Sequence, residues 1–222
     1  MEFKRAFVIL DLETGGLLAT ENPITEIAII AVDVETFKEI TRFETFVKGY
    51  DNLIYTPEAL AKTGITFKEI NKGIEPEELV RLLISLFKQL TPKGDRGKYF
   101  PLIVGHNIGF DISFLDYLFK RVGKNLNEYV SSSNNLIKCF DTLELAMAQN
   151  ITGKHKLSNL SEKLGFEAPE AHRAMADVIM TKKLLEYYVG LLRTDKKIKT
   201  VDLKEKEAGN SEVEQFRKHF EF

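Results

Sequence analysis

Asp11-Leu12-Glu13 closes the first apolar run of the chain, Arg5–Leu10. On a strand, residues two apart point to one side, with Cα atoms about 7 Å apart. Two carboxylates that close repel unless a cation lies between them. Hard oxygen ligands of this kind suit Mg2+ or Mn2+. A second triplet of the same form, Asp33-Val34-Glu35, sits where a hairpin turn is expected. Acids there are ordinary solvated residues, and antiparallel pairing puts them at the opposite end of the sheet from Asp11. Only the first pair runs into Thr14-Gly15-Gly16-Leu17, a bend where backbone can approach a ligand.

Two further blocks carry chemistry. Gly105-His106-Asn107-Ile108-Gly109-Phe110-Asp111 leaves a short apolar strand and enters a helix. Asp111 reads either as that helix's N-cap or as an acid facing a site at the sheet edge. Ala171-His172-Arg173-Ala174-Met175-Ala176-Asp177 is the third block. Five residues on a helix subtend about 140°, so His172 and Asp177 share a site only if His172 lies at or before the helix start. Pro169 favours a start there. Asp177 interrupts a run of small and apolar residues, where a carboxylate is costly unless paired or bound to a metal.

These residues need elements to hold them. Three strands are expected, over Arg5–Leu10, Ile24–Val34 and Lys38–Val47, joined by short links as an antiparallel meander. Thr56-Pro57 starts a helix ending near Gly64, and Pro76–Leu90 is amphipathic, with Leu79, Leu82, Leu83, Leu86 and Leu90 on one stripe. Ser85-Leu86-Phe87 falls inside that helix and reads as core. A fourth strand over Leu102–Val104 leads to a helix over Asp111–Val122, and a fifth over Leu136–Phe140 to helices over Thr142–Gln149, Leu157–Leu164 and Ala171–Leu192. The order implies an α/β fold, a mixed five-stranded sheet flanked by helices.

Composition narrows the class. The chain has 222 residues, 44% hydrophobic and 29% charged, the balance of a soluble globular domain. One cysteine, Cys139, excludes an internal disulfide, fits a cytoplasmic setting and reads as a buried thiol. No apolar run is long enough for a signal peptide or a membrane span. The net charge of −2 argues against a long duplex-binding surface. It leaves room for a short segment held through metal ions and a local patch, for which Lys154, His155 and Lys156 are candidates. From Arg193 the pattern turns charged, and Phe216, Phe220 and Phe222 follow near the end. Residues 193–222 therefore read as a flexible tail or as a docking peptide with aromatic anchors.

In this order and at these separations, the three blocks resemble the DEDDh group of the DnaQ-like 3′–5′ exonucleases. That group includes polymerase proofreading subunits and the RNase T and oligoribonuclease types. The resemblance covers Phe7 to Val189, within a domain of residues 1–192. It departs at Gly15, where the family often has a second Thr. It implies an RNase H-like fold and two divalent ions, Mg2+ or Mn2+, held by Asp11, Glu13, Asp111 and Asp177. It implies His172 as general base. Thr14 and Gly15 would receive the 3′-terminal hydroxyl, Leu17 would wedge against the last base and Phe110 would stack on it. His106 and Asn107 would contact the scissile region or shape the turn. The expected reaction is metal-dependent hydrolysis of phosphodiester bonds from the 3′ end of single-stranded nucleic acid, DNA favoured, releasing nucleoside 5′-monophosphates. RNA trimming and a non-catalytic nucleic-acid-binding role are the rivals. A polymerase docked through the tail and a homodimer are the partners that the family adds.

Overall fold

β1 (Ala6–Thr14) is apolar on both faces until Asp11, as a strand covered on both sides must be. The structure is a computed structural model that describes residues 5–92, 100–149, 155–166 and 173–199, with side chains to 193. It falls into two compact units, residues 1–186 and 187–222. The second unit is described only over 187–199, where it is helical.

In the first unit β1 is the centre of a five-stranded sheet. β2 (Ile24–Asp33) pairs with it antiparallel, and β3 (Glu39–Phe46) pairs antiparallel with β2. β4 (Leu102–Gly105) lies parallel to β1 on its other side. Three helices stand between β3 and β4: α1 (Pro57–Thr63), α2 (Phe67–Ile70) and α3 (Pro76–Gln89). α4 (Gly109–Arg121) follows β4. A two-residue hairpin, β5 (Ser132–Ser133) with β6 (Leu136–Ile137), then precedes β7 (Cys139–Asp141), which completes the order β3-β2-β1-β4-β7. α5 (Thr142–Ala148), α6 (Leu157–Lys163) and α7 (Ala174–Lys199) end the chain's regular structure among the described residues.

The even-numbered residues of β1, Ala6 to Leu12, join Ile27, Ile29 and Ala31 of β2 in one core with Leu79, Val80, Leu83 and Phe87 of α3 and with Phe114, Leu115 and Phe119 of α4. The odd-numbered row, Phe7, Ile9, Asp11 and Glu13, faces the other side, where α7 begins. The mixed sheet with helices on both faces is thus as expected. Asp33 pairs with Ala6, at the far end of β1 from Asp11, and its carboxylate accepts from the Thr36 backbone and hydroxyl.

Four local expectations change. The stretch Leu136–Phe140 is two short strands rather than one, because left-handed Asn134 and Asn135 fold it into a hairpin before β7. Cys139 is exposed, since only Phe140 of edge strand β7 turns inward. α4 starts two residues early, so Asp111 lies inside its first turn and is not the cap. α7 starts at Ala174 and runs to Lys199, because the basic run is made of good helix formers without a Gly or Pro. No helix among the described residues is long and apolar enough to cross a membrane.

Candidate active site

β1 outruns its parallel neighbour. Ile9 pairs with Val104, and beyond that the β4 side of β1 has no strand beside it. The Leu12 N–H points into this gap and donates to the Asp111 carboxylate at 2.9 Å. A buried N–H without a partner is costly, so Asp111 completes the edge and brings the first turn of α4 to the acids of β1. On the odd face, Asp11 and Glu13 meet Asp177 in the first turn of α7. One carboxylate oxygen from each of these three lies within 4.8 Å of the others. Asp111 stands outside that trio but beside Asp11.

Burial sets the electrostatics. It pushes the Asp11 carboxyl well above the usual carboxylate range, and Asp111, Asp177 and Glu13 push it further. Glu13 is pushed up to about 7, first by burial and then by Asp177. Asp111 reaches about 7 through burial, against the lowering effect of the Leu12 N–H. Lys62 opposes the rise at both Asp11 and Glu13. Four acids so placed fit divalent cations: they are hard oxygen donors on three rigid elements, and each would ionise more readily beside positive charge.

The cleft over these acids has a volume of about 650 Å³. Thr14, Gly16, Leu17 and Leu18 form one wall, with Ile54, Thr56, Glu58, Ala59, Lys62 and Thr63 beside them. His106, Asn107 and Phe110 line the other side. Leu17 is 81% exposed at the rim. Phe110 is half-buried and tilts against Phe114, ring centroids 4.9 Å apart. The Thr14 hydroxyl donates to the Gly16 carbonyl at 2.6 Å, so the same oxygen can act toward a ligand only as an acceptor. Gly15 is fixed by its neighbours: a Cβ there would meet Pro23 at 2.8 Å. A Thr at this position would collide with Pro23, which accounts for the departure from the family pattern. Asn22 holds the bend, accepting from the Leu18 N–H and donating to the Ile54 carbonyl.

His106 is engaged at both ring nitrogens, Nε2 with the His155 carbonyl at 2.8 Å and Nδ1 with the Thr142 hydroxyl at 3.0 Å. A carbonyl only accepts, so Nε2 carries the proton. Burial lowers the His106 pKa, and the Thr142 hydroxyl that meets Nδ1 also donates to the Gly105 carbonyl at 3.1 Å. His172 lies outside the described residues, as do Lys154 and residues 200–222 of the tail.

Sequence reasoning missed three contributors. Asp141 caps α5 through the Leu143 N–H and also accepts from the Asn107 and Ile108 N–H groups, at 2.9 and 3.1 Å, holding the turn between β4 and α4. An Asp-Thr pair before an apolar run is a cap signal that could have found it. Lys62 carried no such signal among 31 lysines and arginines. Glu26 of β2, strand partner of Glu13, binds Arg173; no spacing rule relates positions so far apart.

The family model for exonucleases of the RNase T type matches residues 8–185. Among related proteins, the PolC-type DNA polymerase III of Staphylococcus aureus (strain bovine RF122 / ET3-1) is 34% identical over 176 residues, 79% of this chain and 11% of the polymerase. That of Halalkalibacterium halodurans is 37% identical over 180 residues, 81% of this chain and 11% of the polymerase. The zinc-bound complex of E. coli exonuclease I with single-stranded DNA superposes with a TM-score of 0.68 at 26% identity, over 82% of this chain and 40% of that one. The chain thus spans about a tenth of the polymerases and less than half of exonuclease I. Taken with a match to residues 8–185, these identities make the chain a member of the DnaQ-like 3′–5′ exonuclease family.

Proposed function

We propose that this chain is a metal-dependent 3′–5′ exonuclease that acts on single-stranded nucleic acid, DNA in preference to RNA, and releases nucleoside 5′-monophosphates. The observation that carries this reading is the convergence of Asp11, Glu13 and Asp177 within 4.8 Å on the floor of an open cleft. The DNA preference draws on the relatives, which are DNA polymerases, and on the single-stranded DNA bound by exonuclease I.

Asp11, Glu13, Asp177 and Asp111 would hold two divalent ions, Mg2+ or Mn2+, and these supply positive charge to the attacking and leaving oxygens of the phosphodiester. The chain's own groups do the rest. The Thr14 hydroxyl oxygen accepts from the 3′-terminal hydroxyl, while the Gly15 N–H and carbonyl, bonded to the Pro23 carbonyl and the Thr56 N–H at 2.8 and 2.7 Å, hold the bend. Leu17 wedges against the terminal base and Phe110 offers it a ring face. Asn107, in a left-handed conformation at φ 63°, borders the scissile phosphate. His106, with both nitrogens engaged, holds the turn that carries Asn107. His172 takes the proton from the attacking water. The water oxygen bonds to phosphorus, and the bond from phosphorus to the 3′ oxygen of the shortened strand breaks. Lys62 is the sole lysine or arginine among the described cleft residues, against six acids, and is assigned to a substrate phosphate. The same reading includes a polymerase or other protein as partner of residues 193–222, supported by the PolC-type relatives. It also includes a cytoplasmic setting, supported by the single cysteine.

The test uses 5′-labelled single-stranded DNA and RNA of one sequence, with Mg2+, Mn2+ or EDTA. The expected result is a metal-dependent ladder shortening from the 3′ end, faster on DNA. Faster loss of RNA would replace the DNA preference with RNA trimming. No cleavage of either by folded, metal-bound protein would overturn the catalytic reading.

A further inference from the structure

The start of α7 is anchored by one buried acid. Glu26, on β2, is 4% exposed. Its carboxylate accepts from the Arg173 guanidinium at 2.8 Å through Nη2, and at 3.2 and 3.3 Å through Nε. It also accepts from the Ala174 backbone N–H at 3.2 Å. The same guanidinium lies 5.2 Å from the centre of the Phe46 ring on β3. One residue thus ties the helix start to two strands.

The anchor leads to the acidic trio. The Arg173 carbonyl accepts from the Asp177 N–H at 3.2 Å, the bond that opens the helix. Glu26 is the strand partner of Glu13, and directly opposed residues share a face. So the pair fixes Asp177 from one side and borders Glu13 on the other. Its chemistry is unlike that of a packing contact. Removing a carboxylate from water is costly, and an apolar pair of similar size would hold the helix at no such cost. What the ion pair adds is direction: a planar fork accepts one orientation of its partner, whereas an apolar contact accepts many.

Building on the metal-site reading, we propose that Glu26 and Arg173 are a positioning pair that sets the start of α7, and with it Asp177, against the acids of β1. Its effect falls on metal affinity and kcat rather than on oligonucleotide binding.

The experiment titrates Mn2+ into metal-free full-length protein by calorimetry for wild type, Arg173→Met, Arg173→Lys and Glu26→Gln, and measures kcat and KM alongside. Partners that orient metal ligands are worth roughly 10- to 100-fold in affinity. Arg173→Met is expected to weaken Mn2+ binding and kcat by about that factor with KM near wild type, and Arg173→Lys to recover part of both. Folded Arg173→Met with wild-type Mn2+ affinity would overturn the inference. Should Arg173→Met fail to fold, Glu26→Gln decides. It keeps the shape and the acceptor for Ala174 but loses the charge, and unchanged Mn2+ affinity there would equally overturn it. A wild type that binds Mn2+ but cleaves nothing overturns the nuclease reading alone, since the affinity comparison still stands. A wild type that binds no Mn2+ overturns both.

Discussion

Burial, Asp111, Asp177 and Glu13 all act against the charged form of Asp11. Such a group is kept at a cost to stability for what it does when a cation is present. Asp11→Asn keeps the shape and removes the charge. The expected outcome is a metal-free protein that melts at a higher temperature than wild type, with nuclease activity down by more than the roughly hundredfold typical of lost supporting groups. Thermal melts in EDTA and a gel assay check the two halves, and a variant that loses stability and keeps activity would contradict both. Lys62 gives a second prediction. Lys62→Ala should raise KM for an oligonucleotide several-fold and flatten the dependence of log KM on log salt by about 0.7, the share of one single-strand phosphate contact. An unchanged salt slope would remove Lys62 from the substrate. Asp11, Glu13 and Asp177, which the structure brings together, were legible because costly residues broke apolar runs at two element ends, whereas the residues alone left Asp111 open between a cap and a site. Lys62 was not legible, because an exposed lysine on a helix is what any solvated helix carries.

At the scale of elements, the long periodic segments were legible: β1, β2, β3, α1 and α3 fall close to where alternation, apolar stripes and the Thr56-Pro57 start put them. The short ones were not. α2 spans four residues and rests on a capping box between Thr66 and Glu69, too small a signal to stand out. α4 lacks a side-chain cap, which is why its start could not be read and Asp111 resembled one. The turn between β4 and α4 depends instead on Asp141, from the next strand. Asp141→Ala leaves the Asn107, Ile108 and Leu143 N–H groups without their acceptor. Loss of a cap costs about 1 kcal/mol and the two further bonds add to it, so about 2 kcal/mol is expected in urea unfolding. Because His106 and Asn107 sit in that turn, kcat should fall as well. A neutral substitution would mean the turn holds itself.

For the whole molecule, the raised carboxyls link stability to pH. Glu13 and Asp111 titrate near 7 in the folded state, against 4.5 and 3.8 when unperturbed. The folded chain therefore binds more protons than the unfolded one between roughly pH 4 and 7, and stability falls as pH rises through that window. Metal-free protein should melt at a progressively lower temperature from pH 5 to pH 8, and added Mn2+ should raise the melting temperature most at pH 8. A flat metal-free profile would mean the acids are better solvated than their burial implies. The trio has one more consequence, which follows from where its members lie along the chain. Asp11 and Glu13 belong to β1 and Asp177 to α7, so an ion shared among them would be a reversible cross-link closing nearly the whole first unit into a loop. Such a closure takes entropy from the unfolded chain, as a disulfide does. In a protein with a single cysteine, the cation would thus serve as the staple that the sequence does not otherwise contain, and removing it would loosen β1 and the start of α7 together.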